Sequence, residues 1–225
     1  MSILAASAMP AFAQSAGSNI VGMGWFHISP RDSSEGLTTV RGYDGNAHSS
    51  VSNADTLGLT FTHFLTDNMA VTADLGVPPT FDLTGTGTLA RYGHIGSAKQ
   101  WSPAVVAKYY FGGSSSKFRP FLGAGLSYVW YSDVTLSPTF QNVASGGSGT
   151  ATASLSNSWA PVLNAGASYN FNEKWSLNLS VSYLPLKTDA VITGHPSAAP
   201  SMNVVSTTSI TLNPVVTLLS LGYKF

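Results

Sequence analysis

The stretch KWSLNLSVSYLPL, residues 174–186, decides the fold because apolar and polar side chains alternate along it. The first set comprises Trp175, Leu177, Leu179, Val181 and Tyr183, and the second comprises Ser176, Asn178, Ser180 and Ser182. Successive side chains of a β-strand point to opposite faces, so one face is apolar and the other is small, polar and uncharged. A strand face in contact with bulk water normally carries charged residues. The polar face is therefore not an ordinary solvent-facing surface.

Charged residues are scarce throughout the chain. Lys, Arg, Asp and Glu make up 9% of the 225 residues, whereas soluble domains contain roughly 25%. The formal net charge is zero, which argues against a nucleic-acid partner. The chain has no cysteine, which excludes disulfide scaffolds, thiolate zinc sites and thiol nucleophiles. This composition favours a surface that contacts something other than water.

The N-terminal stretch MSILAASAMPAFAQ, residues 1–14, combines a short apolar run with an A-x-A cleavage pattern at residues 11–13. It predicts that residues 1–13 are the remnant of a signal peptide. No charge run, proline-rich hinge or change of periodicity marks a boundary in the rest. We expect residues 14–225 to form a single domain. The chain contains no run of 18 or more apolar residues, so no membrane-spanning helix is predicted.

The period of two recurs along the chain and predicts eight strands. They lie at residues 19–30, 56–65, 69–77, 101–111, 119–133, 159–171, 174–186 and 213–225. Short connections at 66–68, 112–118 and 172–174 alternate with long Gly, Ser and Thr-rich ones at 31–54, 79–98, 133–156 and 190–206. That alternation is typical of outer-membrane barrels, and closure is required because an open sheet edge in hydrocarbon leaves backbone groups unpaired. The predicted fold class is all-β, a transmembrane eight-stranded antiparallel up-and-down β-barrel with short periplasmic turns and long extracellular loops.

The aromatic residues support this fold independently. Those beside the short turns are Tyr109, Phe111, Tyr169, Phe171, Trp175, Tyr223 and Phe225, and those toward the long loops are Trp101, Trp130, Trp159 and Tyr183. Two aromatic girdles flanking an aliphatic band are typical of transmembrane barrels. The apolar strand face is therefore expected to meet lipid, and the polar face a narrow lumen.

Three longer stretches carry a family resemblance. They are KQWSPAVVAKYYFGGSSSKFRPFLGAGLSYVWYSD at 99–133, LSNSWAPVLNAGASYNFNEKWSLNLSVSYLPL at 155–186 and LNPVVTLLSLGYKF at 212–225. Together they resemble the OmpW family of eight-stranded outer-membrane barrels. The resemblance implies a monomeric barrel in the outer membrane of a Gram-negative bacterium that admits small hydrophobic molecules. The ending Tyr223-Lys224-Phe225 resembles the aromatic signature recognised by the barrel-assembly machinery.

An eight-stranded barrel has room for its own side chains or for one small ligand. By parity, the lumen-lining binding candidates are Asp74, Lys108, Val129, Tyr131, Asn164, Ser182, Leu184 and Leu186. Asp74 and Lys108 are the only charges well inside the predicted strands. Charges at membrane depth face the interior and usually pair, so we predict a luminal ion pair, direct or through water. The alternative is that the two are offset along their strands and solvated separately.

Four prolines lie in the predicted strands near the long-loop ends: Pro103, Pro161, Pro185 and Pro214. Proline removes a hydrogen-bond donor from the ladder. The hypothesis is that the outer part of the wall is weakly paired, so that a hydrophobic molecule entering from the loops leaves sideways into the bilayer. The alternative is that the prolines merely end the ladder where the loops begin.

Signs of catalysis are weak. The five histidines show no ligand spacing, and no catalytic residue, metal site or cofactor is predicted. The expected function is an uptake channel for small hydrophobic ligands, in contact with the bilayer and with lipopolysaccharide. One alternative is a structural or surface-interaction barrel that binds a host or phage component and has a filled lumen. The others are a lipid-modifying enzyme using His27 or His94 and a soluble lipocalin-like barrel.

Overall fold

The structure is a computed structural model that describes residues 14–39, 42–199 and 201–225. The predicted signal-peptide remnant, residues 1–13, lies outside the described residues. The strands in the described ranges are β1 (Asn19–Ser29), β2 (Ser33–Ser34), β3 (Leu37–Thr39), β4 (Gly42–Asp44), β5 (Ala47–Val51), β6 (Ala54–Phe64), β7 (Met69–Gly76), β8 (Thr80–Gly87), β9 (His94–Trp101), β10 (Ala104–Tyr110), β11 (Phe118–Leu136), β12 (Gly149–Leu155), β13 (Ser158–Asn170), β14 (Trp175–Tyr183), β15 (Lys187–Pro196), β16 (Val204–Thr211) and β17 (Val215–Lys224). The helical segments are a 3₁₀ turn at Ala90–Tyr92 and α1 (Pro138–Ala144). Neither helical segment in this part of the chain is long and apolar enough to cross a membrane.

Eight of these strands close into a ring. Their order is β10-β7-β6-β1-β17-β14-β13-β11, and β10 also pairs with β11. All eight pairings are antiparallel. If the extracellular segments are left out, strands that follow one another along the chain are also neighbours in the ring. The last strand, β17, pairs with the first, β1. The predicted eight-stranded up-and-down barrel is confirmed.

The two faces of β14 show how the alternation is used. Leu179 and Val181 are 52% and 46% exposed on the outside of the ring, whereas Ser176 and Ser180 are 4% and 5% exposed and point inward. The other barrel strands follow the same rule, with Leu57, Val105, Leu122 and Leu219 exposed. Serine has a small side chain and glycine has none, so inward-facing residues of these types leave room in the lumen for larger side chains. The apolar face is thus the outer face of a closed sheet.

The extracellular connections are more ordered than the sequence predicts. The stretches expected to be long loops contain β2–β5, β8–β9, α1 with β12, and much of β15–β16. β9 pairs with the upper part of β11, and β8 and β5 follow it in the same sheet. β12, β15, β16, β3 and β4 form a second sheet. These strands are rich in Gly, Ser and Thr, which hides the apolar alternation that predicts a strand. The barrel wall therefore continues well beyond the membrane on the extracellular side.

Candidate functional site

The wall between β7 and β10 opens toward the extracellular side. The ladder between these strands ends at the pair Asp74–Ala104. Beyond it, residues 75–78 of one strand and 101–103 of the other share no ladder pair among the described residues. Each segment stays hydrogen-bonded to its other neighbour: residues 75–77 to β6, and residues 101 and 103 to β11. We call this gap the lateral window.

Prolines border the gap on both edges. Pro78 and Pro79 follow β7 after Val77, and Pro103 directly precedes β10. The Val77 N–H is directed to β6, so the next residue, Pro78, faces the gap and has no N–H to donate across it. The Pro103 carbonyl accepts from Tyr128 on β11, so the N–H that Pro103 lacks would have faced β11 and not the gap. Pairing resumes above the window, where the Gln100 N–H donates to the Pro79 carbonyl at 3.1 Å. The window is thus a bounded hole in the sheet and not a frayed end.

A cavity of about 380 Å³ occupies the window. Its outer rim includes Leu75, Val77 and Trp101, and its inner wall includes Val162, Leu184 and Val216. The rim side chains are exposed on the lipid face, whereas Val162 and Leu184 are buried in the lumen. The cavity therefore connects the lumen with the outer surface of the barrel at membrane depth.

The structure separates the four prolines singled out from the sequence. Pro103 and Pro214 line the lateral cavity. Pro161, in β13, and Pro185, between β14 and β15, are exposed and do not line it. Pro161 pairs within the β11–β13 ladder, opposite Leu126, so it does not interrupt the wall. Sequence reasoning missed the Pro78-Pro79 pair, whose position directly after an apolar strand was the available signal.

The binding candidates occupy three depths. Asp74, Ser182 and Leu184 line the lateral cavity. Val129, Leu186 and Tyr131 lie in or against the apolar cluster beside it, and Lys108 lies lower, against a small polar cavity. Asn164 is buried and donates its side-chain N–H to the Ser182 hydroxyl at 2.8 Å.

The predicted direct ion pair between Asp74 and Lys108 is not formed. Asp74 lies opposite Ala104 and Lys108 lies opposite Ala70, so the two residues are four positions apart along one ladder. At about 3.3 Å per residue their backbone positions are roughly 13 Å apart, which is too far for a direct ion pair here. The Lys108 ammonium lies 5.0 Å from the centre of the Phe121 ring instead. The two residues are thus offset along the strands, as the alternative had it, but they are not separately solvated, because Lys108 and the Asp74 Oδ1 atom are both buried.

Apolar side chains and two small cavities lie on the extracellular side of the lateral cavity. The lumen core at this depth consists of Val106, Val129, Ala160, Val162, Leu184, Leu186, Ala190, Ile210 and Leu212. Above it lie two further cavities, of about 60 and 30 Å³, which share Leu83, Leu155 and Ile210 in their walls. The lower of the two also touches Gln100, which lines the lateral cavity. The three cavities are separate, and the packed apolar core lies beside them.

The periplasmic end of the lumen is closed by a cluster that we call the plug: Gln14, Phe64, Tyr110, Arg119 and Phe121. Arg119 is fully buried and donates to the backbone carbonyls of Gln14 and Asp67. Its guanidinium lies 5.3 Å and 5.8 Å from the ring centres of Tyr110 and Phe64. The Gln14 side chain donates to Ser168 at 2.7 Å, which ties the segment before β1 across the lumen. The axial route to the periplasm is therefore filled with side chains.

The described residues contain no group of three or more His, Asp or Glu that could hold a metal ion. His27 bonds Asp55 at 2.7 Å and His94 lies 3.4 Å from Asp82, both at exposed positions. No serine hydroxyl bonds either histidine within the described ranges. The arrangement expected of a serine-dependent lipid-modifying enzyme is thus not assembled around these two histidines.

Gly58 accommodates the Phe26 ring beside the lateral cavity. A Cβ at Gly58 would lie 1.9 Å from a ring carbon of Phe26, so Gly58→Ala must displace the ring. We expect this change to lower the free energy of unfolding by about 1–3 kcal/mol, the usual cost of overpacking. The measurement is urea unfolding of the barrel in lipid vesicles. Gly76→Ala is the matched control, since its nearest contact is 3.5 Å, and equal stability of the two variants would contradict the explanation.

Comparison with known proteins identifies the family that has this architecture. The model of the OmpW family matches residues 15–225, which is nearly the whole chain. The chain belongs to the OmpW family. Outer membrane protein W of Vibrio cholerae is 32% identical over 227 residues, covering 100% of this chain and 97% of that protein. The crystal structure of the outer membrane protein OprG from Pseudomonas aeruginosa matches with a TM-score of 0.84 at 28% identity, covering 95% of this chain and 98% of that one.

Membership of the OmpW family confirms the resemblance seen in the sequence and places the chain in the outer membrane. A further relative is the dibenzothiophene metabolism operon protein PahQ of Pseudomonas aeruginosa, 28% identical over 183 residues, covering 80% of this chain and 75% of that protein. The lipid-facing side chains of the barrel agree with this location, because a wide exposed apolar belt is stable only in a bilayer.

Proposed function

We propose that the barrel takes up small hydrophobic molecules from the extracellular side and releases them sideways into the outer membrane through the lateral window. The observation that carries the proposal is the apolar cavity in the wall between β7 and β10. It joins buried lumen residues such as Leu184 to lipid-facing residues such as Leu75. A molecule in this cavity can reach hydrocarbon without crossing a polar layer.

The closed periplasmic end supports the sideways route. The plug around Arg119 fills the lumen below Lys108, and a hydrophobic molecule would have to desolvate these polar groups to continue downward. The sideways exit, by contrast, desolvates no polar group, and the transfer as a whole, from extracellular water to the acyl chains, gains about 0.8 kcal/mol for each CH₂ group. The route into the membrane is therefore the favourable one.

A named relative supports the class of molecule. PahQ is described as a dibenzothiophene metabolism operon protein, and dibenzothiophene is an uncharged, apolar aromatic compound. The lateral cavity here offers mainly aliphatic and aromatic walls, such as Val162, Leu184 and Trp130, which suit uncharged molecules of this kind.

Uptake into vesicles tests the proposal. The vesicles carry lipopolysaccharide in the outer leaflet, which excludes hydrophobic solutes, and uptake of labelled n-decane is compared with protein-free vesicles. Ala104→Trp fills the lateral cavity from its lower edge, and we expect uptake to fall by about tenfold, equivalent to about 1.4 kcal/mol. Ala124→Trp, on the lipid face of β11, is the matched control and should leave uptake unchanged. Uptake no faster than in protein-free vesicles would instead support a structural or surface-interaction barrel.

A further inference from the structure

Asp74 places a carboxylate in the lateral cavity, whose walls are mainly apolar. Its side chain points inward at the last pair of the β7–β10 ladder and lines the cavity. The Oδ1 atom is buried and accepts no hydrogen bond from any described residue. Lys108, the other charge at membrane depth, is four ladder positions lower. A buried carboxylate oxygen without a donor is costly, so this acceptor is open to a ligand.

Ser182 supplies a second polar group to the same cavity. Its oxygen accepts the side-chain N–H of Asn164 at 2.8 Å, which fixes the hydroxyl in place. The Ser182 hydroxyl hydrogen has no acceptor among the described residues and can be donated into the cavity. The cavity thus offers one strong acceptor and one donor, while Val162, Leu184 and Val216 provide an apolar wall.

From this juxtaposition we propose that Asp74 and Ser182 form a head-group site that selects hydrophobic molecules carrying a hydroxyl group over plain hydrocarbons. The ligand hydroxyl donates to Asp74 and accepts from Ser182, and its aliphatic tail lies against Leu184 and points to the window. A hydrocarbon of equal length leaves the carboxylate unpaired, which is how a hydrogen-bonding site rejects an analogue that lacks the polar group. The inference rests on the proposed function, which supplies the ligand class, but it concerns binding in the cavity and not uptake.

Binding is measured by NMR titration of the protein in lipid nanodiscs with 1-decanol and with n-decane. The amide signals of Leu184 and Val216 report on the cavity, and those of Val21 and Leu219 on the lipid face correct for ligand dissolved in the bilayer. We expect 1-decanol to half-saturate the cavity at about tenfold lower bilayer concentration than n-decane, the lower end for a hydrogen bond to a charged group. Asp74→Leu should abolish this ratio while n-decane binding persists.

Serine variants sharpen the test. Ser182→Ala should reduce the preference for 1-decanol, whereas Ser180→Ala, two residues away on the same strand and outside the lateral cavity, should not. Heat-dependent electrophoretic mobility verifies that each variant is folded. An unchanged ratio in folded Asp74→Leu overturns the head-group site and leaves the uptake proposal standing. A ratio abolished by Asp74→Leu in a protein that shows no vesicle uptake supports the head-group site and refutes the uptake proposal.

Discussion

Tethering β7 to β10 across the lateral window should stop uptake, and releasing the tether should restore it. Gly76 and Ser102 line the cavity from opposite edges of the window. The chain has no cysteine, so Gly76→Cys with Ser102→Cys provides the only two thiols. Bridging them with a short bis-methanethiosulfonate reagent keeps the edges together and occupies the opening. We expect uptake of n-decane into lipopolysaccharide-coated vesicles to fall by at least about tenfold, or about 1.4 kcal/mol, and to recover on reduction.

The control for this tether uses the same two strands. Val71 and Ala107 face each other within the intact part of the β7–β10 ladder. A bridge between cysteines at these two positions therefore links strands that are already paired and leaves the lateral window open. Each single-cysteine variant is treated with the same reagent to measure the effect of a pendant group. Full uptake by the bridged Gly76–Ser102 variant would exclude the lateral route and leave only an axial one.

Arg119→Met should destabilise the barrel by about 2–4 kcal/mol, because two buried carbonyls lose their donor at a cost of about 1–3 kcal/mol each. Arg119 is fully buried, and its guanidinium joins the Gln14 carbonyl to the carbonyl of Asp67 in the turn between β6 and β7. Methionine keeps most of the apolar volume but leaves these carbonyls without a donor. Urea unfolding in lipid vesicles, followed by tryptophan fluorescence, gives the change in the free energy of unfolding.

The plug is also expected to limit the flow of ions through the lumen. Removing Arg119 loosens the seal held by Gln14 and Tyr110, so Arg119→Met should raise the ion conductance of the barrel in planar bilayers. Lys117→Met is the matched control, because Lys117 is an exposed cation two residues away. If the Arg119 variant unfolds within about 1 kcal/mol of the parent and conducts no more ions, the plug neither stabilises nor seals the lumen.

Much of the fold could be predicted because its signal is local. Whether Leu179 or Ser180 faces outward depends only on the period of two along one strand and on the scarcity of charge on either face. The short turns, such as 172–174, and the aromatic residues beside them carry equally local signals. The extracellular strands were missed because stretches such as β12 are too rich in Gly, Ser and Thr to show an apolar face.

The candidate site was predicted less completely because it depends on pairing between strands. Asp74 and Lys108 lie on the neighbouring strands β7 and β10, as the sequence predicts, but whether they meet depends on the register of one strand against the other. Pro103 and Pro161 look alike in the sequence, yet one borders the window and the other sits in an intact ladder. The register of one strand against another is not written in either strand alone.

Alternation along each strand was enough to establish a closed barrel with an apolar outer face, since side-chain direction in a strand follows from backbone geometry. The lateral window and the plug required the tertiary structure. The window lies where Pro78 and Pro79 on one side and Pro103 on the other border the gap between neighbouring strands. The plug exists because Gln14 and Arg119, 105 residues apart, meet in one lumen. Contacts of that kind are set by strand register and ring closure, which no local pattern specifies.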